Sequence, residues 1–326
     1  MLRTYTLLLV VLFAIAHEAS SQGLDVKPFF DTHYYDPLRA EPHAARIKLL
    51  LPAWSKAFPD SLDDSDGRFA WQVSLGRELP IVAFATETLN QGRVGRGHFG
   101  FALCTPIGFH MIEDFKDPSN PIVDTDYRFG FTTKTQYGLT DAIQIGIRFV
   151  PWAHESTHLG DEYVLVAANN PDFERINVSY EYWEVGISVE NEDWTLRVGG
   201  LKPWGADGYY SDHPLGSDIT TLTTSTKNFE LSLGAEYRFP VWKGRRLYLS
   251  ADTRNKLRYT YHASPANPEE RQWSTNFQIG RTLEEDTGDS PLQDYFVQVY
   301  YGINPYGQLR SQKSYWSVGF GWGFGF

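Results

Sequence analysis

A single cysteine, Cys104, leaves this chain unable to form an internal disulfide and without the grouped thiols of a metal cluster. Positive charge is also short: 29 Lys and Arg stand against 40 Asp and Glu, for a formal net charge of -11. A nucleic acid would want a basic face, so no nucleic-acid partner is expected. Long apolar runs are scarce as well. Tyr5 to Ala16 (YTLLLVVLFAIA) follows Arg3, is too short for a spanning helix, and has the length of a signal-peptide core. Cleavage is expected after Ala14-Ile15-Ala16 or just before Gln22, which makes 1–21 a signal peptide. No later run is long enough for a transmembrane helix, and 21% of residues are charged. A helical membrane protein is thereby excluded. A membrane barrel is not, because only alternate strand residues need be apolar.

What the chain has in plenty is alternation. It ends Ser314-Tyr-Trp-Ser-Val-Gly-Phe-Gly-Trp-Gly-Phe-Gly-Phe326. Side chains on a strand point to opposite faces in turn. Trp316, Val318, Phe320, Trp322, Phe324 and Phe326 therefore share one face, and Ser317, Gly319, Gly321, Gly323 and Gly325 the other. In water the aromatic face would have to be buried, whereas a barrel can leave it against lipid. This looks like the closing strand of a bacterial outer-membrane barrel, where a terminal Phe forms part of the signal to the barrel-assembly machinery. Aromatic residues make up 15% of the chain, enough for girdles at two membrane interfaces.

Strands are expected near 43–51, 68–86, 97–113, 122–137, 140–154, 174–189, 192–203, 226–240, 245–261, 271–283, 293–304 and 314–326. The fold expected is all-β: a transmembrane, antiparallel, up-and-down barrel of about 12 strands over 43–326. Counting back from a periplasmic Phe326, periplasmic turns fall near 283–291, 240–245, 189–193 and 137–140, and extracellular loops near 155–173, 204–225 and 262–270. Short turns at one end and longer loops at the other suit this architecture. Residues 22–42, with Pro28, Asp36-Pro37 and Glu41-Pro42, read as an irregular periplasmic strap or lumen plug. The barrel's inward faces carry both charge signs, among them Arg128, Lys134, Arg148, Arg197, Glu230, Glu236, Arg238, Asp252 and Arg254. In a narrow interior such charges should pair, which predicts a polar, mostly plugged lumen.

One stretch has the residue types for catalysis: His154-Glu155-Ser156-Thr157-His158-Leu159-Gly160-Asp161-Glu162-Tyr163. A His two residues from a Ser on a strand shares its face and can act as its general base. The pair is similar to the His-x-Ser of the outer-membrane phospholipase and the lipid A deacylases, which draw an Asn or Glu from the next strand. That resemblance implies Glu174 or Asn177 as the third group. The chain departs from those families in having Thr157 where they have Asn. Parity also opposes the match. If Ile143, Ile145, Ile147 and Phe149 face lipid, an uninterrupted strand turns His154 and Ser156 into the lumen. There they would join a network of Arg148, Asn177, Ser179, Glu181 and Arg238. A bulge at Pro151 would reverse the phase. The His and acidic residues of 154–162 match no metal motif, Asp60 to Gly67 lacks the full ligand order of a calcium loop, and no glycine run precedes a helix as a phosphate loop would. No metal or cofactor is expected.

Three motifs carry a wider resemblance: Asp36-Pro-Leu-Arg-Ala-Glu-Pro-His-Ala-Ala-Arg-Ile47, Ser156-Thr-His-Leu-Gly-Asp-Glu162 and Arg175-Ile-Asn-Val-Ser-Tyr-Glu181. By these the chain resembles a bacterial family of unknown function, the one numbered 1207. That implies an outer-membrane barrel reached through the periplasm, in contact with outer-membrane lipid, and assigns no activity. The function expected is structural or binding, with a plugged lumen. The alternatives are an outer-leaflet lipid hydrolase using His154 and Ser156, and a small diffusion channel.

Overall fold

The computed structural model describes residues 25–28, 35, 37–42, 44, 46–55, 68–86, 94–114, 122–159, 176–177, 179–204, 207–211, 219–223, 229–240, 245–257, 271–283, 293–305 and 315–324. Strict alternation in the sequence becomes strand throughout, and no helix occurs among the described residues. In chain order the strands are β1 (Asp25–Pro28), β2 (Ile47–Ser55), β3 (Arg68–Ala85), β4 (Phe99–Asp114), β5 (Ile122–Gly138), β6 (Gln144–Leu159), β7 (Ile176–Asn177) and β8 (Ser179–Glu190). They continue as β9 (Trp194–Trp204), β10 (Asp207–Ser211), β11 (Ile219–Thr223), β12 (Glu230–Arg238), β13 (Arg245–Leu257), β14 (Arg271–Leu283), β15 (Gln293–Gly302) and β16 (Tyr315–Phe324).

Twelve of these close into one antiparallel transmembrane barrel. Each pairs with the next around the ring, and the seam is made by β16 with β2. The short β1 pairs with Val82–Ala85 of β3, along an edge that β2 leaves open. Strands β7, β10 and β11 form a separate three-stranded sheet in the connections that leave β6 and β9 at the long-loop end. That small sheet was not expected: 204–225 reads in the sequence as a loop.

Strand ends differ from expectation where the chain is held by something other than the ladder. The first barrel strand starts at Ile47 and not near 43, because the residues before it are bonded inside the barrel. Strand β6 starts at Gln144 because Leu139 to Ile143 forms a tight turn. In it Thr140 Oγ1 accepts from the backbone N–H of Ala142 and Ile143.

The two faces of the wall differ as two solvents require. Outward positions include Leu75, Ile107, Phe129, Ile147, Ile187, Leu196, Leu247, Ile279 and Phe320, all exposed. So much contiguous apolar surface suits lipid and would be a liability in water. Inward positions include Gln136, Thr195, Ser250, Asp252, Asn276 and Gln278, all buried. On β16 the inward face is glycine because the lumen is already full there. A Cβ on Gly319 would meet Leu50 Cγ at 2.7 Å, and one on Gly321 would overlap the Phe296 ring.

The lumen is occupied by described residues of the segment before β2, among them Tyr35, Leu38, Arg39, Ala40 and Glu41. Arg39 pairs with Glu236 of β12 and, at 3.2 Å, with Asp294 of β15. Glu41 receives Arg197 of β9 at 3.3 Å and Arg254 of β13 at 3.1 Å. The backbone is held too: Ala40 N–H donates to Ser250 Oγ, and Asn276 Nδ2 donates to the Ala40 carbonyl. Tyr35 lies under the Arg197 guanidinium, 4.1 Å from ring centre to Cζ, and fills the space that Gly186 leaves by having no Cβ. Beside the segment a second network crosses the barrel. Arg148 bridges Glu78 and Glu184 at 3.1 and 3.0 Å, Arg128 joins Glu184 at 3.2 Å, and Lys134 pairs with Glu78.

Breaking one side of a buried pair strands the other charge, at about 3–5 kcal/mol. Arg39→Ala should therefore lower unfolding stability in urea by about 3 kcal/mol. The double variant Arg39→Ala/Glu41→Ala should in addition show stepwise conductance in planar bilayers where the parent shows none. A silent double variant would mean that the segment does not control passage.

Candidate functional site

Strand β6 changes phase partway along. Gln144, Gly146, Arg148 and Val150 are buried and face inward; beyond the change it is Ala153, Glu155 and Thr157 that are buried. The cause is one extra residue. Against β8, Val150 pairs with Glu184 and Ala153 with Tyr182, so two β6 residues lie opposite one of β8. Against β5 the register slips at the same place, between Phe131 and Thr133. Pro151, which has no N–H for the ladder, sits in this bulge with Trp152. Gly130 lies opposite, where a Cβ would come within 2.6 Å of the Trp152 carbonyl oxygen.

The bulge corrects the expectation that His154 and Ser156 face the lumen. Both point outward, as does His158. Their neighbours on β5 are the exposed rings of Tyr127 and Phe129: His154 is 5.2 Å from Phe129 and His158 is 5.5 Å from Tyr127. The expected lumen network is corrected at Ser179 and Glu181 as well. In β8 the inward residues are Tyr180, Tyr182, Glu184, Gly186 and Ser188, so the odd positions face out. Arg148 and Arg238 do point inward. Arg148 pairs as described, and Arg238 reaches Glu236 at 3.3 Å and the carbonyl of Asn191 at 2.8 Å. Of the other residues read from the sequence, Glu174 lies outside the described residues. Asn177 pairs through its backbone with Tyr209 in the small sheet, apart from the barrel wall.

The result is a two-by-two patch on the outer wall. His154 lies directly across from Glu181, and Ser156 across from Ser179. The imidazole stands between two partners. His154 Nδ1 is 3.7 Å from Glu181 Oε1, and Nε2 is 3.4 Å from Ser179 Oγ. Ser156 Oγ is 3.1 Å from His158 Nε2. His154 and Glu181 are partly open, at 23% and 33% side-chain exposure, so a ligand can reach them from the outer wall. Ten residues separate His154 from the start of β6 at Gln144. At about 3.4 Å each and a tilt of about 40°, that climbs about 25 Å, the height of a barrel's apolar band. The patch therefore lies at the upper edge of the membrane-facing surface, toward the long loops.

Chemically the patch has the parts of a nucleophile, base and orienting carboxylate. A carboxylate at Nδ1 favours the tautomer with its proton there, leaving the Nε2 lone pair toward a serine hydroxyl. Separations of this size are common in unliganded sites and tighten on substrate binding. No group of three or more metal-ligating side chains occurs among the described residues. Glu184 was missed in the sequence, and Ser179 and Glu181 were assigned inward; all three directions were open to a parity count from Val185, Ile187 and Val189. The phase change in β6 had only Pro151 to announce it.

The family pattern described as a protein of unknown function, DUF1207, matches residues 18–243. The chain belongs to the DUF1207 family. The matched span includes both the luminal segment and the outer patch of this DUF1207 member. No curated protein matches it. Among solved structures it is similar to outer membrane phospholipase A from Escherichia coli, at 13% identity and a TM-score of 0.50, over 90% of this chain and 94% of that one. It is also similar to the outer membrane phospholipase of Salmonella typhi, solved as a dimer with bound calcium, at 12% identity, a TM-score of 0.49, and 88% and 94% coverage. The translocator domain of the autotransporter NalP from Neisseria meningitidis follows at 13% identity and a TM-score of 0.38, covering 88% and 91%. At these identities the likeness is one of fold.

Side-chain direction is directly measurable. With Cys104 buried and quiet, Ser156→Cys should react with a membrane-soluble maleimide and Thr157→Cys should be protected. Deleting Pro151 removes the extra residue and keeps the phase of the residues beyond it, so both results should persist, whereas deleting a residue between Ala153 and Ser156 should exchange them. Protection of Ser156→Cys in the parent sequence would refute the outward assignment.

Proposed function

We propose that this protein is a bacterial outer-membrane barrel, exported through the periplasm with its long loops outward, that hydrolyses acyl esters of lipids in the outer leaflet. One observation carries the reading: the bulge at Pro151 brings His154, Ser156, Ser179 and Glu181 together on the lipid-facing wall at the long-loop end. An ester bond of an outer-leaflet lipid lies near that level, beneath the headgroup.

In the arrangement present, Glu181 orients His154 and Nε2 takes the proton of a serine hydroxyl. The serine oxygen attacks the acyl carbonyl carbon, and the lipid alcohol leaves with the proton that His154 returns. Water, deprotonated by the same imidazole, then frees the fatty acid and regenerates the serine. Ser179 is the hydroxyl nearest Nε2, while Ser156, two residues along the same strand face, is the one its His-x-Ser spacing points to. The likeness to outer membrane phospholipase A adds that a barrel of this shape can carry such an activity. The terminal strand, apolar on its outer face, is the element the assembly machinery would engage.

A second reading, a structural or binding barrel, is favoured by the ion pairs that fill the lumen. The same contacts argue against a diffusion channel. The two readings separate on one assay, hydrolysis of phospholipid and of lipid A by the refolded full chain. His154→Ala should lower the rate by about 10²–10⁴-fold, the usual contribution of a general base. Ser179→Ala and Ser156→Ala identify the nucleophile, since only one should match His154→Ala. Rates equal to those of His154→Ala in the parent protein, on both substrates, would leave the structural reading.

A further inference from the structure

Lys48 is a different kind of luminal cation. Its side chain is buried, at 6% exposure, in the first barrel strand. The arginines of the lumen meet carboxylates, as Arg39, Arg128, Arg148, Arg197 and Arg254 do. Lys48 Nζ instead donates to the amide oxygen Oε1 of Gln298 and lies 5.1 Å from the centre of the Phe296 ring. No carboxylate among the described residues lies within ion-pair distance of it. Gln298 Oε1 is shared, since Gln278 Nε2 donates to it at 2.8 Å and Asn276 Nδ2 at 3.4 Å. One neutral oxygen thus serves three donors.

A cavity opens at this spot. Its wall includes Lys48, Ser74, His110, Gln298 and Ser317, with Pro42 of the luminal segment on one side. Ser74 Oγ and His110 Nδ1 are 2.8 Å apart. An ammonium group has three N–H donors. Out of water it needs a compensating charge, because an uncompensated buried ion costs several kcal/mol. The cavity supplies space beside the ammonium and hydroxyl, imidazole and amide groups around it, the surroundings of an anion.

We infer that this cavity binds a small anion of the size of formate, as the counter-charge to Lys48. The site lies inside the barrel and is independent of the patch on its outer wall. The ligand is limited to a few heavy atoms because Leu50, Tyr300 and the luminal segment enclose the space.

The test is thermal unfolding of the refolded full chain in neutral detergent, with sodium formate compared with sodium gluconate at equal ionic strength. Gluconate carries the same charge and is too large to enter. Binding to the folded state alone raises the midpoint with the logarithm of ligand concentration once the site saturates. Formate should therefore raise it above gluconate in the parent protein. The difference should vanish in Lys48→Met, which removes the charge, and in Ser317→Leu, which fills the space and leaves Lys48 in place. The second variant serves if the first does not fold. An equal response to both salts in the parent protein overturns the inference, as does a formate-specific rise that survives in either variant.

Discussion

In a closed antiparallel barrel every strand residue is committed to one of two environments, and the commitment reverses at each step along the chain. Everything described above depends on that alternation. It puts Phe320 and Trp322 against lipid and Gly319 and Gly321 against a filled lumen, from one strand of ten residues. It also makes the wall sensitive to single-residue insertions, since one extra residue exchanges the faces of everything beyond it. At Pro151 the chain uses that sensitivity. Two polar residues that simple counting assigns to the interior are delivered to the outer wall, beside polar residues of β8 that were outward already.

The interior follows a second rule, that charges taken from water must find partners. Two strands and the segment before β2 contribute to the link through Arg39 and Glu236, and the network of Arg128, Arg148, Glu78 and Glu184 draws on four more. Neither set is local in sequence. Arginines supply most of the cations, and their planar, multi-donor head lets one residue bridge two carboxylates, as Arg148 does. The inside is therefore cross-braced, and the outside is largely apolar, with the His154 patch as a polar cluster on it.

The strands were legible because alternation is a local signal. The windows near 68–86, 122–137, 271–283 and 293–304 agree with β3, β5, β14 and β15 to within two residues. Where the boundaries moved, the reason was tertiary: Ile47 begins β2 because Ala40 and Glu41 are bonded across the lumen, which no local pattern records. The candidate site was half legible. Its residue types stood out in the sequence, but their direction did not, because a bulge is decided by how β6 registers against both neighbours. Glu181 was assigned inward although Ile187 and Val189, outward on the same strand, fix its parity. The role of Glu41 was invisible, since its partners Arg197 and Arg254 lie far along the chain.

The luminal segment also bears on timing. Arg39 and Ala40 precede the first barrel strand, yet their partners are Glu236, Ser250, Asn276 and Asp294, between 197 and 255 residues downstream. A chain emerging from its amino terminus thus carries a segment whose binding site does not exist until almost the last strand has arrived. Contacts of such sequence separation are entropically expensive to form and come late. Until Asp294 is in place, Arg39 lacks one of its two carboxylate partners, and the brace from the luminal segment to β15 is missing. Sealing of the seam between β2 and β16 and filling of the lumen are then bound into a single late event, in which the two ends of the polypeptide meet.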